Sequence, residues 1–296
     1  MAFVLPERDI AALETRVQHA LRTAGHAELP VLGFGEVTLV LRLDTAQGSF
    51  ACKRLPVFPS YDSFRRHESL VEEYVQRLEK AGVRVAATRL WHTRLPSGRV
   101  VGYCVQEALD GDRLCSRLLR TESGAWAGDF YTRFLALVEG AVTPKVGLDA
   151  QASNWMDLDG ELVYLDVTTP LLRDTRGRER LDVRLFFTSL PWILRDVVRL
   201  SRTRAIFDKF YEPRGVVLDF LGNLHKERVA HLVPDFLARS EGRFLPPVTS
   251  EEVAACYRED ARMWEVLQAL KRADRFWHRR IRRRTYPFLL PPRVHR

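Results

Sequence analysis

Three oxygen-bearing side chains, Asp149, then Asn154 five residues on and Asp166 twelve beyond that, flank a segment that turns at Asp159-Gly160. A carboxylate that accepts a hydroxyl proton, an amide oxygen and a second carboxylate beside one hairpin could orient a nucleophile and hold Mg²⁺ through hard oxygen ligands. Asp and Asn are also ordinary turn residues, and what raises these above that reading is what precedes them. Lys53 sits in Phe50-Ala51-Cys52-Lys53-Arg54-Leu55, one of six lysines among 46 cationic residues. A half-buried ammonium needs an anionic partner, and the α- and β-phosphates of ATP would serve, against the plainer alternative of a lysine leaning out of an edge strand. Upstream, Gly33-Phe34-Gly35-Glu36-Val37-Thr38-Leu39-Val40 is a glycine turn between apolar residues. Such a turn lets backbone N–H groups approach phosphates with no side chain in the way.

The elements that must hold these groups follow from periodicity. Ile10, Leu13, Val17, Ala20 and Leu21 recur at helical spacing over residues 7–23, which predicts an amphipathic helix that packs on the rest. From Pro30 the pattern becomes strand, turn, strand, turn, strand, with Gln47-Gly48 as the second turn. Residues 62–81 are again helical, with Phe64, Val71, Tyr74, Val75 and Leu78 on one face. A carboxylate on this helix could steady Lys53; Glu72, nearer the Gly82-Val83 end, ranks ahead of Glu68, which lies closer to the apolar face. Residues 89–95 and 100–106 form a hairpin around Pro96-Ser97-Gly98, completing five strands and one inserted helix by about Leu109. Beyond that the chain is mainly helical, interrupted at residues 146–169 by the loop and hairpin that carry Asp149, Asn154 and Asp166.

Composition narrows the class. A 296-residue chain that is 46% apolar and 28% charged is neither disordered nor low in complexity, and it suits two lobes with an ample core. No apolar run reaches the length of a membrane span, and the opening Met-Ala-Phe-Val-Leu-Pro-Glu-Arg meets charge too early for a signal-peptide core, so a cytoplasmic protein is expected. Cys52, Cys104, Cys115 and Cys256 have neither disulfide-framework nor metal-ligand spacing and read as reduced, mostly buried thiols. Residues 271–296 hold ten Lys and Arg against one Asp, a net +9 within a chain of net +8, so the body carries −1. Arg275, Arg279, Arg282 and Arg283 lie there beside Phe276, Trp277 and Ile281, ahead of an apolar, proline-rich end at 286–292. A final helix docked by its aromatics, with its arginines solvated, is preferred over a contact with nucleic acid or an anionic surface.

With these motifs in order, the sequence resembles the protein-kinase-like superfamily, nearer to the aminoglycoside and choline kinase branch than to protein kinases, over roughly residues 30–170. Gly33, Gly35 and Val40 match the glycine-rich loop, with Thr38 in place of its third glycine; Lys53 matches the phosphate-binding lysine and Glu72 its helix partner. Val105 to Gly111 resembles the hinge, where backbone groups near Glu107 and Leu109 would bind adenine. Asp149 matches the catalytic aspartate, and Asn154 and Asp166 the metal ligands. Three departures stand out: Gly147 replaces the histidine two residues before Asp149, Gln151 replaces the lysine that steadies the transferring phosphate in protein kinases, and Val167-Thr168-Thr169-Pro170 replaces Phe-Gly with no Ala-Pro-Glu after it.

The resemblance implies an α+β, bilobal kinase-like fold: residues 1–109 as a small lobe with a five-stranded antiparallel sheet and one inserted helix, and residues 110–296 as a larger, mainly helical lobe. It also implies ATP and Mg²⁺ as cofactors and transfer of a phosphate to a hydroxyl of a small molecule. A pseudokinase or nucleotide-binding module is the alternative, motivated by Gly147 and Gln151, and a basic-tail protein acting on nucleic acid or anionic lipid a further one. Helical residues such as Leu185, Phe187, Leu190, Trp192 and Leu194 do not specify the acceptor. Residues 209–214 and Asn223, His225, Lys226 and Glu227 either line its pocket or cap helices.

Overall fold

In the computed structural model, which describes residues 5–23, 29–34, 39–182, 185 and 207–281, the chain begins with α1 (Glu7–Thr23). Glu7 and Asp9 open this helix and Arg22 closes it, in line with the helix dipole, and Ile10, Leu13, Val17, Ala20 and Leu21 are buried. Then follow β1 (Val31–Phe34), β2 (Leu39–Thr45) and β3 (Gly48–Phe58). α2 (Tyr61–Lys80) starts where the Ser60 hydroxyl accepts from the Ser63 N–H at 3.2 Å. After β4 (Arg84–Val85), β5 (Thr88–Arg94) and β6 (Val100–Glu107) form the expected hairpin.

Five of these strands make one antiparallel sheet in the order β1-β2-β3-β6-β5. Side chains alternate across it. Cys52 and Arg54 face α1, while Leu55 and Lys53 face the opposite side, toward α2 and the second lobe. The α1 side closes its own core with Leu41, Phe50, Val101, Tyr103 and Val105. At its centre Glu14 forms an ion pair with Arg54 at 2.8 Å and accepts from the Tyr103 hydroxyl at 2.5 Å.

The second lobe contains α3 (Cys115–Thr121), α4 (Gly124–Ala141), β7 (Trp155–Leu158), β8 (Glu161–Tyr164), α5 (Pro213–Lys226), α6 (Val233–Arg239) and α7 (Ser250–Phe276). Stacked aromatics fill it: Tyr131 lies 4.1 Å from Phe236 and Phe134 lies 4.3 Å from Phe220, centroid to centroid. Asp159 and Gly160, both at positive φ, turn the β7–β8 hairpin. The buried Asp157 pins that turn by accepting from Gly160 N, Trp126 Nε1 and Arg133. β4 pairs in parallel with β8, so a strand from between α2 and β5 completes the hairpin's sheet.

A five-stranded antiparallel sheet with one inserted helix, joined to a larger helical lobe, is a mixed α+β bilobal architecture, as the motif order implies. All four cysteines are free thiols, and three are buried. Among the described residues no helix is long and apolar enough to cross a membrane. The end of α7 departs from expectation. Phe276, Trp277 and Ile281 are exposed (62%, 41% and 54%), so the aromatics do not dock the helix; its inner side instead carries Gln268, Lys271 and Asp274. Arg282, Arg283, residues 286–292 and Phe187, Leu190, Trp192 and Leu194 lie outside the described residues.

Candidate active site

Lys53 lies at the middle of β3, opposite Val40 on β2 and Cys104 on β6, so Val40 and Lys53 share the face turned toward the second lobe. Its ammonium bonds to Asp166 Oδ1 at 2.8 Å, across 113 residues of chain. The same oxygen accepts from Thr168 N at 3.2 Å and Thr168 Oγ1 at 2.8 Å. Burial raises the Asp166 pKa, and the Lys53 charge and the Thr168 bonds outweigh it, holding the carboxyl below its ordinary value. All three donors converge on Oδ1, which leaves Oδ2 without a donor among the described residues.

The helix carboxylate expected beside Lys53 is not there. Glu72 is exposed on the flank of α2, and Glu68 is paired with Arg65. The inner face of α2 is uncharged, carrying His67, Leu70, Val71, Tyr74 and Leu78. Burial lowers the His67 pKa to about 4, so this side chain is neutral near pH 7. Lys53 turns to the nearest available carboxylate, which is Asp166.

Tyr74 takes over a different task. Its hydroxyl donates to the backbone oxygen of Gly147 at 2.9 Å, and Tyr164 donates to the backbone oxygen of Asp149 at 3.0 Å. Burial drives both phenols far above their ordinary pKa, so they remain donors. Gly147 N and Leu148 N add bonds to Leu171 O and Phe210 O, at 2.9 and 3.0 Å. The loop before Asp149 is thus clamped without the histidine that Gly147 replaces. A Cβ at position 147 would lie 3.0 Å from both Leu171 Cβ and Phe210 O, a contact that either neighbour must shift to accommodate. Gly147→Ala is expected to destabilise the fold by about 1–3 kcal/mol in urea denaturation, through overpacking.

Asn154 completes the oxygen set. Its Nδ2 donates to Asp149 O at 3.0 Å and its own backbone oxygen accepts from Leu165 N at 2.9 Å, so it links the loop to the residue before Asp166. Its amide oxygen accepts no hydrogen bond among the described residues. Gln106 on β6 reaches the same junction, donating to Leu165 O at 2.8 Å. Beyond it Glu107 is exposed, Ala108 N bonds to Ser49 O, and the Leu109 N–H has no partner among the described residues. A Cβ at Gly33 would meet nothing within 4 Å, so packing does not demand this glycine. Gly35 and Thr38 lie outside the described residues.

A family model described as a family of unknown function, DUF6206, matches residues 12–275, from α1 into the last turn of α7. The chain belongs to the DUF6206 family. No functionally curated protein matches the sequence. Among solved structures, WaaP in complex with acyl carrier protein aligns over 80% of this chain and 99% of its own, at 15% identity and a TM-score of 0.35, too loose a superposition to bear on the chemistry.

In this DUF6206 chain the surroundings of the Asp149 loop are built by residues that the sequence left open. Lys209 is ion-paired with the buried Asp219, which also accepts from Asn223 Nδ2 at 3.2 Å. Asp219, Cys256 and Asp260 bring three ligand-type atoms within 4.8 Å of one another, but Lys209 already supplies the positive charge, 3.8 Å from Asp260. One turn after Asn223, Lys226 donates to Gln151 Oε1 at 3.0 Å. No sequence spacing signals that contact, since 75 residues separate the partners.

Proposed function

We propose that this protein is an ATP- and Mg²⁺-dependent phosphotransferase that moves the γ-phosphate to a hydroxyl of a small molecule. The observation that carries the reading is the Lys53–Asp166 ion pair, set beside the loop of Asp149 and Asn154. Asp166 and Asn154 fit a magnesium ion: each retains an oxygen without a donor, and hard oxygens are what Mg²⁺ prefers. Bound there, Mg²⁺ would neutralise charge on the phosphate oxygens. Lys53 would hold the α- and β-phosphates, on the face of the sheet that it shares with Val40. The Leu109 N–H is a free donor for an adenine edge. The Asp149 carboxylate takes the acceptor's hydroxyl proton as that oxygen bonds to the γ-phosphorus and the bond to the β–γ bridging oxygen breaks, releasing ADP.

A nucleotide-binding module without turnover is the second reading, favoured by Gly147 and Gln151. The first of these departures is answered by the Tyr74 and Tyr164 clamps. Calorimetry with ATP, with and without Mg²⁺, tests the proposal. Wild type binds in a Mg²⁺-dependent way; Lys53→Ala loses about 10- to 100-fold in affinity, the worth of a charge-assisted contact, and Asp166→Ala loses the Mg²⁺ dependence. Absence of Mg²⁺-dependent ATP binding by the wild type overturns the reading.

A further inference from the structure

Lys226 is the cation that the proposed site has not yet used. Its ammonium is 3.0 Å from the Gln151 amide oxygen, and Gln151 follows Asp149 by two residues. It forms no close ion pair with a carboxylate among the described residues, and Asp219 feels its charge only from farther off. Glu227 pairs with Arg120 at 3.1 Å, and Asp219 pairs with Lys209. A neutral amide takes one of the three ammonium protons and cancels none of its charge. Lys226 is therefore a half-buried positive charge held beside Asp149 by a neutral amide, with only the more distant Asp219, already ion-paired to Lys209, as a counter-charge, so an anion arriving at this loop would meet it.

Its mounting is rigid. Lys226 ends α5, where the helix dipole favours a cation, and the preceding His225 stacks on Tyr257 of α7 at 4.9 Å. The residue type also carries information. The chain uses Lys only six times, and Lys53, Lys209, Lys226 and Lys271 are each at least half-buried rather than on the open surface. A compact ammonium suits a site where one point charge must meet one oxygen.

We infer that Lys226, positioned by Gln151, contacts the transferring phosphoryl group from the helical-lobe side and stabilises the charge on its oxygens as it leaves ADP for the acceptor. The inference rests on the phosphotransferase reading and deepens it: Lys53 serves the α- and β-phosphates from the sheet, and Lys226 serves the γ position from α5. It also supplies the positive charge that Gln151 lacks.

ADP with aluminium fluoride, a mimic of the transferring phosphoryl group, tests this without knowledge of the acceptor. In calorimetry with Mg²⁺, the wild type binds ADP–aluminium fluoride more tightly than ADP. Lys226→Met is expected to lose about 100-fold of that increment, the size typical of one donor to a developing oxyanion, with ADP affinity unchanged, and Lys226→Arg to restore part of it. If Lys226→Met does not fold, Gln151→Leu reads the same increment by releasing the ammonium. An undiminished increment in the folded variant overturns the inference and leaves the phosphotransferase reading standing. A wild type that binds neither ATP nor ADP removes that reading and this inference with it.

Discussion

The Asp149→Asn variant binds Mg²⁺–ATP as the wild type does and consumes it about 10²–10⁴-fold more slowly, the loss expected when a positioned general base is removed. Asparagine preserves the volume and most of the polarity of the side chain but cannot accept a proton. The backbone does not follow the substitution, because the carbonyl at position 149 is held by Tyr164 and by Asn154 at 3.0 Å each. Nucleotide binding rests on other groups, Lys53 from β3 and Asp166 after β8, so affinity and turnover separate in this one variant. ATP consumption with water, or with an alcohol found by screening, measures it. Turnover unchanged in Asp149→Asn would take the proton-accepting role away from this residue.

The proximity of Asp149, Asn154 and Asp166 was legible in the sequence because these parts are local. Asp149, Asn154 and Asp166 lie within one loop and hairpin, and the Asp159-Gly160 turn fixes how that hairpin closes. The two helices of the first lobe follow from apolar spacing, which burial at Ile10, Leu13, Val17, Phe64, Val71, Tyr74 and Leu78 bears out. The partner of Lys53 was not legible. Helical spacing already put Glu72 on the flank of its face, and only a tertiary contact decides whether a flank carboxylate swings inward or a distant aspartate replaces it.

Tyr74 illustrates a different limit. A tyrosine in an apolar stripe looks like packing, and its hydroxyl acquires a task only when Gly147, 73 residues away, presents a carbonyl. A sequence could have signalled it only by the missing histidine, since a loop that loses one support needs another. The exposed Phe276 and Trp277 show the converse, where aromatic character does not guarantee burial.

The largest stability effect is expected at Glu14, on the face of the sheet away from the site. Glu14 and Arg54 are both buried, with side chains 5% and 10% exposed, and the carboxylate also accepts from Tyr103 and Gln18. Burial pushes the Glu14 pKa up, but the Arg54 bonds and charge, with Gln18 and Tyr103, more than offset this and leave it below the ordinary value of 4.5. Glu14→Gln leaves the Arg54 guanidinium charged and buried without a counter-ion, and is expected to cost about 3–5 kcal/mol in urea denaturation at pH 7. Because the native pKa is the lower one, the carboxylate's contribution is fully present above 4.5 and is lost as the pH falls through the native value. The gap between wild type and variant therefore narrows in acid. The double variant Glu14→Met, Arg54→Met removes both charges together and recovers most of the loss, less about 1–3 kcal/mol for the Tyr103 hydroxyl left without its acceptor. A gap that stays constant down to acid pH would mean that the loss does not come from the charge of the Glu14 carboxylate.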